Sequence, residues 1–110
     1  MIKISVCDDD EGQLTFFKQC FMEYNEKHKE KIEANFYQSV QSLLNEKKFS
    51  PDVYFLDIEL QDGNGLKLAG RIRTRNPQIP IVFITSHEEF MPEAFQVHAY
   101  QYLNEKKNAQ

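Results

Sequence analysis

Short apolar runs that alternate with helical patterns constrain the fold of this chain more than any other feature of the sequence. Each run has the length and composition of a β-strand. The five predicted strands are residues 2–7, 31–37, 53–57, 79–85 and 99–103. Between successive strands, apolar residues recur at helical spacing, so strands and helices alternate along the whole chain. This order predicts an α/β fold in which helices cover both faces of a parallel sheet.

The polarity of the strands predicts their positions in that sheet. Strands 53–57 and 79–85 are continuously apolar, which is typical of interior parallel strands. Strands 31–37 and 99–103 alternate polar and apolar residues, as edge strands do. A flavodoxin-like, doubly wound five-stranded parallel sheet with the order 2-1-3-4-5 places these two strands at its edges. We therefore predict that order.

The length and charge of the chain exclude several classes of protein. The chain has 110 residues and a formal net charge of −4, so it is expected to form one domain without a broad basic surface. Direct binding of nucleic acid by this segment is not expected. No signal peptide and no apolar run long enough to span a bilayer is present. The sequence thus predicts a cytoplasmic protein that does not contact a membrane.

Aspartates follow two strands that are neighbours in the predicted sheet. Asp8 and Asp9 come directly after strand 2–7, and Asp57 ends strand 53–57. Because parallel strands end at the same edge of a sheet, their carboxylates should converge there. Carboxylates without a counter-charge repel one another, and the pKa of at least one of them rises. A hard divalent cation relieves this repulsion, so we predict a site for Mg²⁺ or Mn²⁺.

Structural roles for some of these residues remain open at this stage. Acidic residues at the start of a helix commonly cap it, which would explain Asp10 and Glu11. Capping does not explain a carboxylate that ends an otherwise apolar strand, as Asp57 does. Thr85 ends strand 79–85, where its hydroxyl would lie across the same crevice, although a threonine at a strand end is often structural. A glycine-rich turn is predicted after strand 53–57, but its stretch "DGNGLKLAG" fits neither common phosphate-loop pattern, so no nucleotide cofactor is predicted.

Taken together, these residues resemble a response-regulator receiver domain of the CheY-like type. The matching stretches are "CDDD", "FLDIEL", "NGLKLAGRIR", "IPIVFITSH" and "AFQVHAYQYL". The last two are most similar to receivers of LytTR-family regulators. The resemblance covers nearly the whole chain, so residues 1–110 are interpreted as one receiver domain without its output domain.

The resemblance implies a function in two-component signalling. Asp57 would accept a phosphoryl group from a sensor histidine kinase. Asp8, Asp9 and Asp57 would hold Mg²⁺ together with the main-chain carbonyl of Glu59. The chain would regulate transcription only through a DNA-binding domain that lies elsewhere. It would not be an enzyme for a separate substrate, since it would catalyse only its own phosphorylation and dephosphorylation.

The resemblance also implies a switch and shows where the chain departs from its family. Thr85 and Tyr102 would form the pair that responds to phosphorylation. The position of the family's lysine holds Glu105, which would repel phosphoryl oxygens, and Lys106 beside it is the candidate replacement. The family's following proline is absent.

The sequence also ends where the last helix of this fold should begin. That helix is therefore missing or lies outside this chain, which would leave an apolar face of the sheet uncovered. We expect either that the natural protein is longer or that a homodimer, for which domain swapping is one arrangement, covers this face.

Two other functions stay open from the sequence. Glu105 favours a pseudo-receiver, a protein-interaction module that works without phosphorylation. The other possible function is that of a metal-dependent phosphohydrolase with Asp57 as nucleophile. The usual arrangement of two aspartates on one strand in such enzymes is missing here.

Overall fold

The structure is a computed structural model that describes residues 1–84. Its elements are β1 (Ile2–Cys7), α1 (Glu11–Lys27), β2 (Ile32–Tyr37), α2 (Val40–Leu44), β3 (Val53–Asp57), β4 (Glu59–Leu60), β5 (Gly63–Asn64), α3 (Gly65–Arg75) and β6 (Ile81–Ile84). The predicted strand 99–103 lies outside the described residues. The same is true of the predicted site residues Thr85, Tyr102 and Lys106 and of Glu105.

Within residues 1–84, four strands form a parallel sheet in the order β2-β1-β3-β6. This agrees with the predicted order, with β6 as the fourth predicted strand, and it confirms the α/β receiver-type fold. Strand β6 begins at Ile81 and not at the predicted residue 79, because Pro80 has no N–H to donate to a ladder. The carbonyl of Pro80 still accepts a hydrogen bond from the N–H of Tyr54 at 3.1 Å.

A second, antiparallel pair of strands was not predicted. Strands β4 and β5 pair Glu59 with Asn64 and Leu60 with Gly63, and they form a short hairpin directly after β3. The sequence showed only a glycine-rich turn here. Two-residue strands are too short to display the alternation by which longer strands are recognised.

Two apolar cores lie on opposite faces of the sheet, because successive strand residues point to opposite sides. Val6 belongs to the core beneath α1, whereas the next residue, Cys7, belongs to the core beneath α2 and α3. On the α1 side, aromatic rings contribute much of the packing. The rings of Phe17 and Phe21 lie edge-on to that of Phe55, with centroids 5.6 and 6.0 Å apart.

The beginnings of the helices are defined by polar caps. The Asp10 side chain accepts from the N–H of Gly12 and caps α1, as predicted for that residue. Ser39 and Ser42 form a capping box at α2, and Asn64 caps α3. No helix among residues 1–84 is both long enough and apolar enough to cross a membrane.

Candidate functional site

Three aspartates converge at the carboxyl edge of the sheet. Asp8 directly follows β1, Asp57 ends β3, and these strands are paired so that Cys7 lies opposite Leu56. One carboxylate oxygen from each of Asp8, Asp9 and Asp57 lies within 4.8 Å of the other two. The convergence that the strand order predicted is therefore present.

The three carboxylates accept hydrogen bonds from nearby main-chain N–H groups. The N–H of Asp10 donates to Asp8 Oδ1 at 2.9 Å, and that of Glu59 donates to Asp57 Oδ1 at 3.3 Å. The N–H of Gln61 donates to Asp9 Oδ2 at 3.0 Å. These bonds orient the carboxylates, but they supply no full positive charge. Three carboxylates thus share one crevice, and the ion pair between the Met1 amino group and Glu30 lies outside it.

Burial and mutual repulsion disturb the ionisation of this cluster. Burial, followed by the charge of Asp8, raises the pKa of Asp57 from an ordinary value of 3.8 to about 7. Burial also raises the pKa of Asp8, which is only 3% exposed, although the N–H of Asp10 opposes this rise. Without a cation, Asp57 therefore retains its proton at a pH where an isolated carboxyl group has lost it.

The donor set fits a hard divalent cation. Carboxylate oxygens are the ligands that Mg²⁺ prefers, and this ion keeps several waters, so three carboxylates at an open crevice suffice. Glu59, whose main-chain carbonyl was predicted as a fourth ligand, stands two residues after Asp57 at the start of β4. Its N–H already contacts the Asp57 carboxylate, and the ligand role of its carbonyl stays a prediction.

The unpredicted hairpin connects the acidic cluster to helix α2. Asp62, in the turn between β4 and β5, accepts from the N–H groups of Val40 at 2.9 Å and Gln41 at 3.2 Å. These are the first residues of α2, so one carboxylate caps the helix. The adjacent Gln61 donates to Asp9, as described above. The hairpin is therefore attached to the cluster on one side and to α2 on the other.

Gly65 allows the start of α3 to lie against the strand that carries Asp57. Its N–H donates to the carbonyl of Ile58 at 2.8 Å. A Cβ at Gly65 would lie 2.1 Å from the carbonyl oxygen of Asp57, which no side chain could tolerate without movement of the backbone. The sequence marked this glycine as part of a turn but not as a close contact with Asp57.

Comparison with known proteins bears on the identity of this site. The family described as the response regulator receiver domain matches residues 4–110. An uncharacterized response regulatory protein of Yersinia pestis is 32% identical over 105 residues, which cover 94% of this chain and 42% of that protein. Accessory gene regulator protein A of Staphylococcus epidermidis is 34% identical over 110 residues, covering 93% of this chain and 45% of that protein. The chain thus spans less than half the length of these relatives.

Further similarities concern the LytTR type and the fold. The transcriptional regulatory protein LytR of Staphylococcus aureus is 35% identical over 52 residues, covering 47% of this chain and 21% of that protein. The response regulator TrrA of Thermotoga maritima, solved in complex with Mg²⁺-BeF, matches with a TM-score of 0.72 at 22% identity and covers 99% of this chain and 98% of that one. The receiver domain of HemR from Leptospira biflexa matches with a TM-score of 0.68 at 20% identity, covering 92% of this chain and 75% of that one. With a family match over nearly its whole length and a fold shared with solved receivers, this chain belongs to the response-regulator receiver domain family.

Proposed function

We propose that Asp57 accepts a phosphoryl group from a sensor histidine kinase, with Mg²⁺ held at Asp8, Asp9 and Asp57. The observation that carries this proposal is the convergence of the three carboxylate oxygens within 4.8 Å at the ends of β1 and β3. Carboxylates that lie this close repel one another, which costs stability, and a bound cation would relieve that repulsion.

The chemistry is nucleophilic attack at phosphorus. A carboxylate oxygen of Asp57 forms a bond to the phosphorus atom while the bond from phosphorus to the histidine nitrogen of the donor breaks. The electron pair of the broken bond stays on the histidine nitrogen, which takes up a proton from water, so the products are an acyl phosphate on Asp57 and a neutral imidazole. Mg²⁺, when bound, neutralises charge on the transferring group. Asp57 is a nucleophile only when it is ionised. Because its pKa is raised and a cation favours the ionised carboxylate, binding of the cation is linked to release of a proton from the cluster.

The proposal also covers the output of the signal and the assembly of the protein. LytR, which is named as a transcriptional regulatory protein, and accessory gene regulator protein A are each more than twice as long as this chain, which supports an output through a DNA-binding domain outside it. Thr85 and Tyr102 would carry the signal from Asp57, and a homodimer would transmit it. The chain would act in the cytoplasm and would catalyse only its own phosphorylation and dephosphorylation.

A receiver that works without phosphorylation is the second candidate. The observation that favours it is Glu105 at the position of the family's lysine, with Lys106 as the candidate replacement. A carboxylate at that position would repel the phosphoryl oxygens that a lysine attracts.

Intact-mass measurement after incubation with acetyl phosphate and Mg²⁺ separates these candidates. We expect one added phosphoryl group, which disappears when Mg²⁺ is removed and in Asp57→Asn. Asp52→Asn is the matched control, because Asp52 lies just before β3, at the opposite end of that strand from the cluster, where it accepts from the N–H of Lys3 at 2.8 Å. Absence of phosphorylation in folded protein would favour the second candidate. Turnover of a phosphomonoester would instead support a phosphohydrolase.

A further inference from the structure

A groove of about 670 Å³ lies between α2 and α3, on the side of the sheet away from α1. Its floor is apolar and includes Leu43, Ile72 and Ile79, which are buried in the core. Phe49 and Tyr54 add partly exposed aromatic surface. The volume is in the range of ligand-binding clefts, and the floor suits a large apolar side chain.

Cationic side chains surround this apolar floor. Lys67, Arg71 and Arg75 line the groove from α3, and their spacing of four residues places them on one side of that helix. Lys47 lines it from the loop that follows α2. All four are exposed. The groove is therefore a local region of positive charge on a chain whose net charge is −4.

The one acidic residue that lines the groove among residues 1–84 is already engaged. Glu46 Oε1 accepts from the N–H of Lys48 at 2.8 Å and from that of Phe49 at 2.9 Å. These bonds lower the pKa of the Glu46 carboxyl, and the carboxylate serves the turn of its own loop. Among residues 1–84, the four cations are therefore the dominant charge of the groove.

Gly70 leaves open space in the wall of the groove. It lies in the interior of α3, where glycine is about 1 kcal/mol less favourable than alanine. A Cβ at this position would meet no heavy atom of residues 1–84 within 4 Å. Packing among the described residues therefore does not require glycine here, and its small size enlarges the groove.

We propose that this groove binds an acidic segment of a partner protein, with a large apolar side chain of that segment inserted between α2 and α3. The positive rim is complementary to glutamate and aspartate, and the floor, with Phe49 and Tyr54, supplies apolar surface on which an apolar anchor can pack. Nucleic acid would be attracted by the same cations, but it offers no aliphatic anchor for the floor.

The proposal can be tested with peptides and the full chain labelled with ¹⁵N. Two peptides rich in glutamate carry leucine and phenylalanine, one at helical and one at alternating spacing. Matched peptides replace every glutamate by glutamine, or every apolar residue by alanine. We expect at least one acidic peptide to shift the amide resonances of residues 43–49 and 67–75, with binding that weakens at higher salt. Each replacement should weaken it at least tenfold.

Variants of the chain provide an independent measurement. The double variant Lys67→Glu/Arg71→Glu should weaken binding at least tenfold. The control Lys27→Glu/Lys29→Glu makes the same change in net charge, but outside the groove, and should bind like the wild type. Gly70→Leu fills the open space and should abolish binding, and leucine is a good helix former, so the fold is retained. Amide spectra of each variant check folding before binding is measured.

Several outcomes would overturn the proposal. The proposal is wrong if neither acidic peptide shifts the resonances of the groove residues. It is also wrong if the glutamine peptides bind as well as the glutamate peptides. A duplex DNA oligonucleotide that shifts these resonances when the acidic peptides do not would make the groove a nucleic-acid surface instead. Phosphorylation of Asp57 is not required for binding, so failure here leaves the mass measurement on Asp57 unaffected.

Discussion

Replacing Asp57 by asparagine should stabilise the chain when no divalent cation is present. The carboxylate oxygens of Asp8, Asp9 and Asp57 lie within 4.8 Å of one another. At that separation, two unit charges repel by about 0.9 kcal/mol in water and by about 3.5 kcal/mol at the effective dielectric constant of about 20 found near protein surfaces. Asp57 is partly exposed, so solvent screening favours the lower part of this range. We expect a gain of about 1–2 kcal/mol in the free energy of unfolding.

The dependence of this gain on pH follows from the raised pKa of Asp57. The folded value is about 7 and the ordinary value is 3.8, so folding is favoured by protonation of this group. Its contribution to stability is fully present below about pH 4 and is lost as the pH rises through 7. The gain from Asp57→Asn should therefore be absent at low pH and complete above about pH 8.

Urea denaturation in the presence of EDTA, followed by circular dichroism at several pH values, measures this effect. Asp52→Asn, at the opposite end of β3 from the cluster, serves as the control and should leave the free energy of unfolding and its pH dependence nearly unchanged. A variant Asp57→Asn that is no more stable than the wild type at pH 8, or equally stabilised at pH 4, would refute the reasoning. Mutual repulsion within the cluster would then be too weak to demand a cation.

Three further changes should act in predictable directions. Addition of Mg²⁺ at 100 times its dissociation constant should stabilise the wild type by about 2.7 kcal/mol, measured as a rise in the melting midpoint that Asp57→Asn largely loses. Gly65→Ala should destabilise by about 1–3 kcal/mol, because its Cβ would overlap the carbonyl oxygen of Asp57. Gly70→Ala on the same helix should instead stabilise the chain by about 0.5–1 kcal/mol. Equal urea midpoints for the two alanine variants would contradict the difference expected between these two glycine positions. Leu56→Ala should cost about 2–5 kcal/mol, since this side chain is fully buried, whereas Phe16→Ala at an exposed position should change the urea midpoint little.

Much of the site could be predicted because it depends on topology. Apolar periodicity identified the strands, and the rule that parallel strands end at one edge brought Asp8, Asp9 and Asp57 together. Polar alternation likewise placed β2 at an edge of the sheet, where the structure has it. None of these inferences needs a side-chain conformation, which is why sequence alone sufficed for them.

Other parts of the site could not be predicted from local spacing. Asp62 caps a helix that begins 22 residues before it, so no nearby motif reveals the contact. The β4–β5 hairpin has two-residue strands with no periodicity of their own. The groove combines α2, the following loop, β3 and α3, and its positive charge exists only because these separate segments are brought together.

The sequence by itself determined the class of the fold, the order of its strands and the edge at which the carboxylates gather, because these follow from hydrophobic periodicity and the direction of parallel strands. The tertiary structure decided how closely the carboxylates approach and how far the pKa of Asp57 rises, because both depend on distance and burial. It also decided which surface is left open beside α3. Distances, burial and grooves arise from packing between residues far apart in the chain, and no local pattern specifies them.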